Sequence, residues 1–316
     1  MSGTTQFIRA IQLLAGSASG SILDLSHLQI SFAIKSADTA TLRQLNLRVF
    51  NPAPSTVTKM QKEYTAVTLS AGYQGNIGQI FTGQIKQYRY GRVDAATTYL
   101  DIIASDGDQA MANGFISQTL AKDWTAADVH REIVNATSTL GFPLTGGTPP
   151  PDTGQSGIRP KVMFGPVRDY MRVLGVSTGT AFKVDDNALV YTVYDQIQQT
   201  LNTAVVLSPS TGLIGIPRQT IDGIEATCLL NPKLKAGGLV KIDQSLIQAA
   251  TVNQAVNVVN TFPSLSPSGT YKIWFVELEG DTRGNNWYTT ITCQATDGTV
   301  TLSDTAVAKA GASGGL

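Results

Sequence analysis

A mainly β chain interrupted by an α+β insertion is the fold class that this sequence predicts, and three observations carry it. Runs of alternating apolar and polar residues, closed by glycines or Asn-Pro, fill both ends of the chain. Clear helical periodicity appears in the middle third. One order of events occurs twice: strand, Asn-Pro, strand, long hairpin, Asp-Gly. The expected division is a first β domain over 1–105, an insert over 106–200, a second β domain over 201–305 and a flexible tail over 306–316.

The N-terminal "QFIRAIQLLAGSASG" reads as a first strand, because Arg9 and Gln12 interrupt any signal-peptide core. "SHLQISFAIKS" puts Leu28, Ile30, Phe32 and Ile34 on one face, and "LRQLNLRVFNPAP" puts Leu45, Leu47 and Val49 on one face before Asn51-Pro52 stops it. "STVTKMQKEY" reads as a short helix or turn with Ser55 as its cap. "AVTLSAGYQGNIGQIFTGQIKQYRYGR" and "TTYLDIIASDG" read as strands with turns near Gly75–Gly78 and Gly91–Asp94.

In the insert, Ala126, Val129, Ile133 and Val134 recur at helical spacing behind Thr125 or Asp123 as cap. His130 is placed on the polar side of that helix. Residues 144–160, "LTGGTPPPDTGQSGIRP", carry no strand or helix signal. "GPVRDYMRVLGVSTG" is a second helix, and "AFKVDDNALVYTVYD" is a hairpin on Phe182, Val184, Leu189, Tyr191 and Val193. From Leu207 the β pattern returns, broken at Asn231-Pro232. It ends in the hairpin "YKIWFVELEGDTRGNNWYTTITCQATDG". Residues 248–269 read as a loop or short helical connection.

The 316-residue chain carries 23 Lys+Arg against 23 Asp+Glu, and charged residues make up only 15%. That balance argues against a nucleic-acid footprint, which needs clustered cations. A surface of Thr, Ser, Asn, Gln and Gly suits packing against neighbours, where each buried charge costs desolvation. No apolar run spans a membrane as a helix, and the strands are too irregular for a membrane barrel. Cys228 and Cys293 show no C-x-x-C spacing and read as small buried thiols; whether they pair stays open.

Metal, phosphate and nucleophile motifs are absent, and the glycines at 72, 75, 78 and 83 precede a strand rather than a helix. His27 and His130 read as surface or capping groups. Glu277 and Glu279 share a strand face with Asp281 beyond them, but no cleft defines an acid–base pair. No catalytic residue, metal ligand or cofactor is assigned. The hairpin tips are the candidate partner contacts. In the second hairpin these are Asp281, Thr282, Arg283, Asn285, Asn286 and Trp287; in the first they are Arg89, Arg92 and Asp94. Arg283 offers a planar donor fork, the Asp and Asn groups short hydrogen bonds, and the Trp side chain a large apolar area.

Five patches in order carry a family resemblance: "LQISFAIKSADTATLRQLNLRVFNPAPSTV", "VTLSAGYQGNIGQIFTGQI", "LDIIASDGDQAM" with "WTAADVHREIV", "CLLNPKLKAGGLVKID", and "VELEGDTRGNNWYTTITC". Over residues 7–304 the chain resembles the baseplate (tail) hub proteins of contractile-tailed bacteriophages, which are related to the N-terminal hub part of type VI secretion spike proteins. The resemblance implies two tail-tube-like β-barrel domains per chain, pseudo-hexameric when three chains assemble. It implies a non-enzymatic homotrimer in the virion baseplate, assembled in the host cytoplasm. Its neighbours would be the tail tube ring, the central spike, and tape-measure and sheath or wedge proteins. DNA would meet it only in transit. Alternatives are another tail-tip, tube-capping or spike-attachment component, a cell-wall hydrolase, or a carbohydrate-binding module using Trp274 and Trp287.

Overall fold

The computed structural model describes residues 8–17, 20–38, 41–141, 143–193, 204–249 and 263–296. The tail, the Asp297-Gly298 pair, the side chain of Val193 and most of 248–269 lie outside them.

The first β unit contains β1 (Arg9–Ser17), β2 (Ile22–Asp24), β3 (Gln29–Ala37), β4 (Gln44–Phe50), helix α1 (Pro54–Glu63), β5 (Tyr64–Tyr73), β6 (Asn76–Arg92) and β7 (Thr98–Ser105). The insert follows with α2 (Asp108–Asn113), β8 (Phe115–Leu120), α3 (Ala126–Asn135), β9 (Thr145–Thr148), β10 (Lys161–Pro166), α4 (Val167–Thr178), β11 (Thr180–Asp185) and β12 (Ala188–Val193). The last unit holds β13 (Val205–Leu207), β14 (Leu213–Thr220), β15 (Gly223–Leu229), β16 (Leu239–Ile242), β17 (Thr270–Asp281) and β18 (Trp287–Ala295).

Alternation sets the faces. Ile30, Phe32 and Ile34 of β3 and Leu45, Leu47 and Val49 of β4 are buried, while the residues between them are not. These join one apolar core that runs through both β units and includes Phe81, Tyr271 and Trp287. The insert has a separate core around Ile116, Ile133, Met163, Met171 and Leu189.

The two β units share a strand order. The first runs β3-β4-β7-β6-β5-β1 and the last β14-β15-β18-β17-β16-β13. Each long hairpin carries one bulge, at Lys86 between Ile85 and Gln87 and at Trp274 between Ile273 and Phe275. Matching the bulges matches Phe50 beside Tyr99 with Leu229 beside Tyr288. It also matches Asn51 N–H donating to Thr98 O with Leu230 N–H donating to Trp287 O. The Asn-Pro pairs are therefore offset by one position, and Asp106 falls level with Ala295. The units differ at the far side, where β1 runs antiparallel to β5 and β13 parallel to β16.

Two separate closed barrels are not what the pairing forms. β17 pairs with β3 over seven residue pairs, Phe275–Ala37 to Asp281–Ser31, and merges both units into one 13-stranded sheet. Among the described residues this sheet does not return on itself. Three local expectations also change. Ala53, not Ser55, is the N-cap of α1, because Pro54 opens the helix. Residues 145–148 form a short strand, paired parallel with β12. His130 is buried, its Nε2 3.4 Å from Leu189 O, since it follows Ala126 by four and precedes Ile133 by three on the inner face.

Candidate assembly site

The tip of the β17–β18 hairpin is held by the chain's own first strand. Arg9 Nη1 donates to Asp281 O at 2.8 Å and Gly284 O at 2.6 Å, and Nη2 donates to Asn285 O at 3.1 Å. The Asp281 carboxylate accepts from the Arg283 and Gly284 amides at 2.8 and 2.7 Å, curling the loop so that its carbonyls face Arg9. Thr282 Oγ1 accepts from Ile30 N–H at 3.0 Å. Trp287 is buried, stacks edge-on to Phe32 at 5.6 Å and donates from Nε1 to Gly72 O at 3.2 Å. Asp281, Thr282 and Trp287 thus serve the chain itself, whereas Arg283, Asn285 and Asn286 are exposed.

The first hairpin divides similarly. Arg89 and Arg48 both bind Asp101, at 2.7 and 2.6 Å. Burial works to raise the Asp101 carboxyl, but the two guanidinia outweigh it and hold it below the usual carboxylate range. Arg92 donates to Ala95 O at 3.2 Å, and Asp94 accepts from the Ala96 and Thr97 amides, so both shape their own turn. A groove of about 530 Å³ on the sheet face opposite the core brings the two hairpins together. Asn46, Arg48, Arg89 and Asp101 line it from the first unit, and Glu279 and Asn286 from the second. Arg92, Asp94 and Arg283 are not among its lining residues.

A second polar cluster joins all three parts of the chain. Arg43, just before β4, binds Asp185 through Nη1 and Asp186 through Nη2 at the β11–β12 turn. Lys235, beyond β15, binds Asp186 at 2.7 Å. Asp38 accepts from Lys272 at 2.7 Å and pairs with Lys183 at 3.6 Å, and Lys183 also donates to Ala236 O. The β11–β12 hairpin is therefore pinned into the seam between the β units. Asp106, fully buried, accepts from Asn187 N–H at 2.9 Å while its other oxygen lies 3.9 Å from Arg43 Nε. Burial pushes its carboxyl up to about 6, against the pull of Arg43. Asp186 feels the same burial, but the Arg43 and Lys235 charges hold it low. Three carboxylates this close resemble a cation site. The Arg43 guanidinium already takes the cation's place. Sequence reasoning missed this cluster, whose members are far apart in the chain.

Both cysteines, His130 and Glu277 are packed or paired. Both thiols are free and buried on adjacent strands, and burial pushes Cys228 up to about 12 and Cys293 higher. Burial also lowers His130 and favours its neutral ring. Glu277 pairs with Lys35 at 3.2 Å across the β17–β3 seam. Among the described residues, no helix is long and apolar enough to cross a membrane.

Among solved structures, the chain superposes on a 43 kDa tail protein of prophage MuSo2 from Shewanella oneidensis with a TM-score of 0.55 at 10% identity, covering 92% of this chain and 97% of that one. A tail protein from Neisseria meningitidis MC58 gives 0.53 at 9% identity, with 91% and 96% covered. Prophage tail protein gp18 from Listeria monocytogenes EGD-e gives 0.50 at 10%, with 96% and 99% covered. These likenesses establish a shared fold. No curated protein matches the sequence. A family model described as baseplate hub gp41 matches residues 36–262, which takes in most of the first β unit, the whole insert and the last unit as far as the approach to β17. The chain belongs to the baseplate hub gp41 family of phage tail proteins.

Proposed function

We propose that this protein is a structural baseplate hub that works as a homotrimer, presenting six similar β units around a central channel. The single observation that supports this most is the matching strand order of the two β units. Three chains with two equivalent units each offer a sixfold pattern to a tail tube ring. The inserts and termini, present once per chain, keep threefold symmetry for a spike. In this reading 1–105 and 201–305 are the two tube-like domains, 106–200 the insert, and the closed barrel belongs to the assembly rather than to one chain. The sheet face opposite the core lines the channel. There the carboxylates of Asp101 and Glu279 balance the guanidinia of Arg48 and Arg89, and Glu277 pairs with Lys35, which suits passage of DNA without a salt-dependent grip. The role needs no catalysis, and the protein resides in the virion tail.

Mass measurement in solution and class averages of the purified protein test this. A three-chain ring with pseudo-sixfold density is expected. A single-chain species at every concentration would overturn it. Clearing of peptidoglycan by the wild type that disappears in Glu277→Gln would favour the hydrolase instead.

A further inference from the structure

The insert and the fused β units keep separate apolar cores. Hydrogen bonds and ion pairs join them in two places. Where the chain leaves β7, Gln109 N–H donates to Gln84 Oε1 at 2.7 Å and Lys86 pairs with Asp108 at 2.7 Å. At the β11–β12 hairpin, Asp185 and Asp186 meet Arg43, Asp186 meets Lys235, and Lys183 meets Asp38. Units that meet through polar groups rather than a shared core move against each other by default.

The hairpin contact is costly to keep closed. Four cations, Arg43, Lys183, Lys235 and Lys272, face four carboxylates, Asp38, Asp106, Asp185 and Asp186. Arg43, Asp38 and Asp106 are buried, and the ion pairs must first offset their lost hydration. Arg43 Nε and Asp106 Oδ2 lie 3.9 Å apart, and neither makes a hydrogen bond. Water would satisfy both once the contact opened. Arg43 also borders a cavity of about 20 Å³ with Thr41, Lys183, Asp185 and Lys235, which has room for one water. At the other end, Gly107 joins β7 to α2 in the left-handed region, with φ +70°.

We propose that the insert is a latched arm. The Asp185-Asp186 tip locks it against Arg43 and Lys235, and it swings as one body about Gly107 when those ion pairs part. The β units stay fixed to each other through the β3–β17 ladder. The latch lies within one chain and does not depend on the hub reading.

Distances between nitroxide labels on the full-length chain test this, with labelled chain diluted into an excess of unlabelled chain. Labels at Lys59→Cys on α1 and Arg172→Cys on α4 report the arm against the first β unit. Labels at Arg131→Cys on α3 and Arg172→Cys report distances within the arm. All three positions are exposed, and both native thiols are buried. The wild type is expected to give one narrow distance for each pair. Combining Asp185→Asn with Asp186→Asn leaves Asp106 to neutralise Arg43. That variant is expected to show a second distance for the first pair and no change for the second. If it fails to fold, Lys183→Gln combined with Lys235→Gln replaces it. A first pair that keeps its single distance overturns the arm. A new distance within the insert also overturns it, because the insert would then be unfolding rather than swinging. Either result leaves the hub reading standing.

Discussion

The Arg9 guanidinium lies 5.4 Å from the centre of the Trp287 ring and donates to three carbonyls of the loop just before that ring. The first strand of the chain thereby clasps its last hairpin. The polar tip "GDTRGNN" is shaped as a receptor for a cation from its own chain. Arg9→Ala is expected to destabilise the protein by about 1 kcal/mol, since Arg9 is exposed and its bonds compete with water. Trp287→Ala removes a fully buried ring and is expected to cost about 4 kcal/mol. Urea unfolding of both variants checks the ratio.

Gly280 sits where β17 crosses Phe32. A Cβ there would fall 2.4 Å from Phe32 Cζ and 2.9 Å from Trp287 Cε3. Gly280→Ala is expected to cost about 2 kcal/mol through overpacking. Gly16→Ala, with open space around its Cβ position, serves as the control, and thermal melting compares them.

Asp106 gives a pH signature with a definite sign. Its folded value of about 6 lies above the ordinary 3.8, so the folded state binds the proton more tightly. Its contribution therefore favours folding increasingly as pH falls from above 6 towards 4. Arg43, Asp185, Asp186, Asn187 and Lys235 surround it and remain in the Asp106→Asn variant. Stability of wild type minus variant, measured from pH 4.5 to 8, is expected to decline with rising pH by about 2 kcal/mol. A flat difference would contradict the placement of this carboxyl.

Thr125 and Asp128 form a reciprocal cap on α3, with Thr125 Oγ1 accepting from the Asp128 amide and the Asp128 carboxylate accepting from the Thr125 amide. Thr125→Ala is expected to lower stability by about 1 kcal/mol. Hydrogen exchange should quicken first in the opening turn of α3.

Cys228 and Cys293 are expected to stay silent to a thiol reagent in the native protein and to react together on unfolding. Their burial raises both thiols far above neutral pH. Reaction of one thiol under native conditions would show a local opening of β15 from β18.

Where one face of a strand meets the core, the sequence announces it, as in Ile30-x-Phe32-x-Ile34. Elements with little apolar contrast stay hidden. β8 turns only Ile116 and Leu120 inward and exposes Phe115, and β9, "TGGT", is exposed throughout and held by backbone pairing. His130 was readable, since its spacing from Ala126 and Ile133 puts it on the apolar stripe, but charged neighbours at 131 and 132 drew it to the outside. The repeated Asn-Pro pairs reveal the right order of strands through residues that are not equivalent in space. The Arg43 cluster leaves no local trace, because its partners converge only once the insert docks. Among the tip residues, sequence shows which are polar but not which way they turn, and Arg9 carried no motif to mark it.

The ladder between β3 and β17 also sets what the molecule can do mechanically. Among the described residues it joins the two halves without an intervening hinge. Rotating one against the other would tear seven consecutive rungs and expose the indole beneath them. A thrust arriving at one half is therefore passed on by a stiff girder rather than absorbed at a joint.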